Sequence, residues 1–267
     1  MPVPSRGAPA GAGEPLLAVR ELSLAFGGVR ALAGVSFDVQ RNSVCGIIGP
    51  NGAGKTSLFN CLSRLYDPAG GTIHFDGADI TRTPAHKVSS IGIARTFQNV
   101  ALFDRQTVRR NVEAGCFAEF GTRWLAALFM TRAGRADRRR IDARVNQLLA
   151  RTRLADLADE VVADLPFGIR KRVELARALA MSPRLLLLDE PACGLNHEEV
   201  TELAAWIREI RDGMGISVLL IEHHMNLVMQ VSDQVVVLEF GRKIAAGVPA
   251  AVRRDENVIR AYLGGGT

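Results

Sequence analysis

Apolar and polar positions along this chain follow two rhythms. Residues 43–48, 185–188, 217–221 and 234–238 are apolar at nearly every position, the pattern of short strands buried on both faces. Residues 16–22 and 35–39 alternate only in part and read as strands joined by a turn at Gly27-Gly28. Residues 72–75, ending at Asp76-Gly77, and residues 243–246 read as further strands. Helical spacing predicts helices over 173–179 and 198–212 and a last one ending at Tyr262-Leu263. From Val108 to about Asp164 helix formers dominate, above all at 124–130 and 141–151, with a solvated basic stretch at Arg138-Arg139-Arg140. Alternating strands and helices predict an α/β fold with a mostly parallel sheet covered on both faces, interrupted by a helical block.

Composition narrows the classes. A length of 267 residues suits one core with a sizeable insertion. The apolar runs are far short of the roughly 18 residues that cross a bilayer. The net charge of +5, from 33 basic and 28 acidic residues, suits an anionic ligand, a membrane-proximal site or a plain solvated surface. No Lys/Arg block is interleaved with aromatics, so no nucleic-acid partner is expected. Cys45, Cys61, Cys116 and Cys193 form no CxxC or Cys/His cluster, and read as buried small hydrophobes in a reducing compartment, with no zinc site. Residues 1–14 lack an apolar signal-peptide segment and read as a disordered tail, which implies a cytoplasmic chain.

After the first double-sided strand comes Gly49-Pro50-Asn51-Gly52-Ala53-Gly54-Lys55-Thr56, a G-x-x-x-x-G-K-[ST] loop opening a helix that continues through Ser57. Its glycines let successive N–H groups turn inward around phosphates. The helix beginning near Gly54 adds the positive end of its dipole. Lys55 supplies a mobile charge to β- and γ-phosphates, and the Thr56 hydroxyl is a natural Mg²⁺ ligand. By itself the loop says only that the chain handles nucleoside triphosphates.

The strand at 185–188 ends in Asp189-Glu190-Pro191, at the sheet edge where open α/β folds bind ligands. Asp189 is placed for the Mg²⁺ shell and Glu190 to polarise an attacking water. The next apolar strand ends in Glu222-His223-His224, where a neutral imidazole could bond near a γ-phosphate. Of the two histidines His223 is preferred. Adjacent strand residues face opposite ways, so His224 is expected to point elsewhere. Gln98 follows the apolar segment 91–97 and is uninformative in isolation.

In order, these motifs resemble the nucleotide-binding domain of ABC transporters over residues 16–264. The resemblance rests on the loop at 49–56, on Phe97-Gln98, and on Leu165-Pro166-Phe167-Gly168-Ile169 just ahead of Arg172–Leu179. It continues with Asp189-Glu190-Pro191, Gly194-Leu195-Asn196 and His223. It implies a P-loop NTPase core over 15–105 and 166–250, an N-terminal antiparallel β subdomain, a helical subdomain inserted at 106–165, and a C-terminal helix and tail at 251–267. It implies ATP and Mg²⁺ as cofactors, with Gln98 as both a catalytic residue and a metal ligand. Two subunits would pack head to tail, each ATP lying between one phosphate loop and the partner's signature segment, Leu165 to Gly168. Phe26 would stack on adenine.

The signature departs from the usual L-S-G-G-Q: Pro166 replaces Ser, Phe167 a Gly and Ile169 the Gln. Asn196 stands where Asp is usual, and so does His224. These departures, together with Ile221-Glu222-His223 and the run from Val258 to Gly264, resemble the ATPases of branched-chain (hydrophobic) amino acid importers, a group that the amphipathic insertion around Trp124 also fits. That subfamily implies permease subunits, an extracytoplasmic solute-binding protein acting indirectly, and a second ATPase that is a paralogue, with a homodimer as the alternative. The chain would sit on the inner face of the cell membrane through the permeases. Lipopolysaccharide export or import of a small solute such as urea is the alternative function. DNA-maintenance ABC ATPases are disfavoured, since the stretch from Gln98 to Leu165 shows neither sustained heptads nor metal-ligand spacing.

Overall fold

The computed structural model describes residues 13–96, 101–120 and 132–263. The phenylalanine and glutamine at 97–98, the insertion around Trp124 and most of the N-terminal tail therefore lie outside the described residues. Strands β1 (Leu17–Phe26) and β2 (Val29–Val39) form a hairpin turning at Gly27-Gly28, and β3 (Val44–Ile48) leads into helix α1 (Lys55–Leu62). There follow β4 (Gly70–Phe75), β5 (Ala78–Asp79), the short α2 (Ala85–Val88) and β6 (Ile93–Arg95). Helices α3 (Val108–Phe120), α4 (Arg132–Arg151) and α5 (Phe167–Ala180) make up the central block. The remainder is β7 (Leu185–Asp189), α6 (His197–Asp212), β8 (Ser217–Ile221), α7 (Met225–Val231), β9 (Gln234–Glu239), β10 (Arg242–Gly247), α8 (Pro249–Val252) and α9 (Glu256–Leu263). Among the described residues no helix is long and apolar enough to cross a membrane.

Two sheets result. One is antiparallel in the order β2-β1-β4-β5, and the other runs β10-β9-β3-β8-β7-β6, parallel except for its antiparallel edge strand β10. The larger sheet separates two cores, and its strands feed both by strict alternation. Val44, Ile48, Leu186, Leu188, Val218, Leu220, Val235 and Val237 face the helices α3 to α7. Cys45, Ile47, Leu185, Leu187, Leu219, Ile221, Val236 and Leu238 face α1 and the antiparallel sheet. A strand with an apolar core on either side has no position left for a polar residue, hence the unbroken apolar runs.

Several elements extend beyond their apolar signal. The hairpin strands reach their shared turn because backbone pairing continues through Leu24↔Leu32 and Phe26↔Val29 after the alternation has faded. Helix α5 starts at Phe167, six residues before its periodic stretch, and packs on α3 and α4. The segment before residue 97 contains β6, paired with β7. One expectation fails: Cys45, Cys61 and Cys116 are buried, but Cys193 is exposed, because it lies in the surface loop after Pro191. Burial pushes the Cys45 thiol up to about 12 and the Cys61 thiol up to about 11, leaving both inert as nucleophiles.

Candidate functional site

The phosphate loop is held by backbone approaches that only glycine permits. Gly49 is buried at φ 154°, and a Cβ there would meet the carbonyl oxygen of Leu238 on β9 well inside van der Waals contact. Gly54, at φ 99°, occupies the N-cap position of α1, and a Cβ on it would lie 2.5 Å from the Ala31 carbonyl oxygen on β2. The first N–H groups of α1 receive no side-chain cap, which leaves this helix end, with the positive pole of its dipole, open to an anion. The close approach of Gly54 to Ala31 ties the β1–β2 hairpin to the loop, and Val29, two positions before Ala31 on β2, pairs with Phe26 at the end of β1. Phe26 is half exposed, its ring edge-on to Tyr66 at 5.2 Å.

Lys55 is buried, and its ammonium donates to the carbonyl oxygens of Gly49 (2.7 Å) and Pro50 (2.9 Å). Burial pushes it below the usual lysine range, while the charges of Glu190 and Asp189 pull the other way. Thr56 is exposed and Ser57 half-buried at the start of the helix. Asp189 ends β7 almost wholly buried, and its Oδ2 accepts from Arg95 at 2.7 Å. Arg95, at the end of β6, also donates to Asn60 Oδ1 (2.8 Å) and Ser63 Oγ (3.0 Å) and lies over the Phe59 ring. One guanidinium thus binds the acidic strand end to the phosphate-loop helix. The chain signalled this only weakly, as one Arg closing a short apolar run.

At Glu190 the backbone leaves the strand with φ 46°, while its N–H still donates to the Ile221 carbonyl at 2.9 Å. The pairing brings the loop after β7 against the end of β8. There His223 Nδ1 lies 3.9 Å from Glu190 Oε2 and 3.9 Å from Glu222 Oε2. The expectation that His224 points away from His223 is overturned. Strand β8 stops at Ile221, so alternation no longer applies, and the two exposed imidazoles pack with centroids 4.7 Å apart. Glu222, named in the motif but given no role there, is fully buried and accepts three backbone hydrogen bonds.

Leu165, Pro166, Phe167 and Gly168 lead into α5, with Pro166 at the N-cap, where it offers no side-chain acceptor to the helix N–H groups. The half-exposed Phe167 ring rests on Gly194 (φ 79°), 2.9 Å from where a Cβ would be, and Lys171 Nζ lies 5.6 Å from the ring centroid. Gly168 is crowded by the Glu199 carboxylate, which a side chain there would displace. Asn196 caps α6. Its Oδ1 accepts from the N–H groups of Glu198 and Glu199 (both 3.0 Å), and Glu199 Oε2 accepts from the Asn196 N–H (2.8 Å). The residue standing in for Asp is therefore also a helix cap.

Comparisons with known proteins agree with this architecture. The ABC transporter family model matches residues 32–193, and a model described as branched-chain amino acid ATP-binding cassette transporter matches residues 242–267. The chain is 42% identical over 250 residues to the high-affinity branched-chain amino acid transport ATP-binding protein BraF of Pseudomonas aeruginosa, covering 94% of this chain and 98% of that one. It is 38% identical over 251 residues to the corresponding LivG of Escherichia coli, covering 94% and 98%. A crystal structure of an ABC transporter ATP-binding cassette in its ADP conformation superposes with a TM-score of 0.82 at 29% identity, covering 94% of this chain and 100% of that one. By the family match over residues 32–193 and the identity to these relatives along nearly the whole length, this chain belongs to the ATP-binding subunits of the ABC transporter family.

Proposed function

We propose that this chain is the ATP-hydrolysing subunit of an importer of branched-chain or other hydrophobic amino acids. The carrying observation is the convergence of Lys55, Asp189, Glu190 and His223 at the C-terminal edge of one parallel sheet. The two carboxylates act on the Lys55 charge, and the imidazole lies 3.9 Å from Glu190. The solute class is supported by the names of the relatives at 38–42% identity and by the match over residues 242–267.

In this reading the phosphates of ATP occupy the cradle of residues 49–57. Lys55 exchanges the carbonyls of Gly49 and Pro50 for β- and γ-phosphate oxygens. Phe26 stacks on adenine, a contact worth about 1–3 kcal/mol by analogy with base stacking. The Thr56 hydroxyl and the Asp189 carboxylate are hard oxygen donors that fit Mg²⁺, with Gln98 as a third holder. Bound there, Mg²⁺ would neutralise charge on the β- and γ-oxygens. Glu190 takes the proton of the attacking water as its oxygen bonds to the γ-phosphorus and the bridging oxygen leaves with ADP. His223 hydrogen-bonds the γ-phosphate. The uncapped N-terminus of α5 presents its N–H groups to the ATP of a facing subunit, a paralogous ATPase, and permease subunits hold the pair at the membrane.

Replacing Glu190 by Gln in the assembled transporter should retain ATP binding and slow phosphate release by about 10²–10⁴, the usual contribution of a general base. Wild-type turnover would overturn the assignment. In vesicles holding the transporter and its binding protein, uptake of labelled leucine is expected. Uptake of urea with none of leucine would overturn the solute class.

A further inference from the structure

A fully buried carboxylate is costly unless donors surround it, and Glu222 is fully buried. Its donors come from two separate loops. Oε1 accepts from the Ala192 N–H at 2.7 Å, two residues beyond Glu190, and Oε2 accepts from the N–H groups of His223 (3.0 Å) and His224 (3.2 Å). The Glu222 N–H itself reaches the Ile47 carbonyl on β3 at 3.4 Å, two residues before the phosphate loop. One side chain therefore joins the loop after the acidic strand end to the backbone of the two histidines, from a position hydrogen-bonded to the phosphate-loop strand. Charge-assisted N–H bonds of this kind are the strong ones, and three of them leave both loops little freedom relative to each other.

We propose that Glu222 is a positioning residue for hydrolysis, whose carboxylate clamps the Glu190 loop to the His223 backbone and so fixes the general base against the γ-phosphate-sensing imidazole. The inference rests on the roles given to Glu190 and His223 above. An apolar or amide side chain would fill the same space without the clamp. Glutamine offers one acceptor oxygen, and its NH₂ group would confront the remaining N–H.

The test uses the assembled transporter carrying Glu222→Gln or Glu222→Asp in this subunit. The shorter Asp keeps the charge and stays near the two adjacent histidine N–H groups but falls short of Ala192. ATP affinity, KM and kcat are measured, with kcat normalised to the ATP-binding sites titrated. The clamp predicts ATP affinity and KM within about twofold of wild type and kcat lowered about 10–100-fold in both variants, part of the range of a positioned acid or base. A carboxylate needed only for folding would instead reduce the number of titratable sites and leave kcat per site unchanged, which overturns the proposal. If the Gln variant does not assemble, wild-type kcat in the Asp variant overturns it alone. Glu190→Gln and His223→Ala run in parallel. If they turn over normally, the reading of the site falls. If they are slow while the Glu222 variants keep wild-type kcat, only the clamp falls.

Discussion

Gly49→Ala should damage this protein far more than Gly52→Ala, although both change the same loop by one methyl group. At Gly52 (φ 78°) nothing lies within 4 Å of a built Cβ, so the cost is that of holding Ala in a left-handed backbone, about 1–2 kcal/mol, partly offset by a stiffer unfolded chain. At Gly49 the same Cβ drives into the Leu238 carbonyl oxygen and lies 3.1 Å from both the Leu238 carbonyl carbon and the Ala53 Cβ. Strand β9 cannot retreat, because Val236 and Leu238 are fully buried and β9 is paired on both sides, to β3 and β10. Overpacking of this kind adds about 1–3 kcal/mol, for a total of about 2–5 kcal/mol. At about 2–4 °C per kcal/mol for a chain of this size, the midpoint should fall about 4–20 °C for Gly49→Ala and about 2–8 °C for Gly52→Ala, before the offset from the stiffer unfolded chain. Thermal unfolding of the two full-length variants, followed by circular dichroism in the same buffer without nucleotide, makes the comparison. Equal midpoints, or a lower one for Gly52→Ala, would refute the argument that the Leu238 carbonyl dictates glycine at 49.

Arg95→Met should destabilise the chain by about 3–5 kcal/mol in denaturant titration, because it strands the buried Asp189 carboxylate, and adding Asp189→Asn should recover much of that loss without restoring hydrolysis. Asn196→Ala removes the capping box of α6 and should cost about 0.5–2 kcal/mol, read as a midpoint shift with the slope unchanged. Gly168→Asp should abolish hydrolysis at the site facing this signature, since it sets a carboxylate both at the N-terminus of α5 and against Glu199. Combining it with Glu199→Gln should regain stability but no phosphate release, and release at the wild-type rate from Gly168→Asp would contradict the signature assignment.

Local patterns determined where the double-sided strands lie, because each is bounded on both faces by apolar cores and therefore carries an unbroken apolar run. The phosphate loop was legible for the same reason: its chemistry is written in consecutive backbone N–H groups, and consecutive residues are what a sequence displays. The carboxylates of Asp189 and Glu190 were legible as a strand end. What the chain alone could not show is the order β3-β8-β7, in which a strand from late in the sequence separates the phosphate-loop strand from the acidic one. That order decides which loops touch. Arg95 meets Asp189 across 94 residues, and Glu222 meets Ala192 across 30, pairings with no local signature because nothing near either residue depends on the other. The early start of α5 was hidden likewise. Residues 167–172 lack helical apolar spacing, and the first of them are held by the ring contact of Phe167 with Gly194 and the approach of Glu199 to Gly168. His223 and His224 came together only because β8 ends at Ile221, where pairing with β7 runs out at Asp189. Contacts within a few residues follow from residue type and spacing, whereas contacts between sheet-edge loops follow from strand order, which the packing of the whole chain selects.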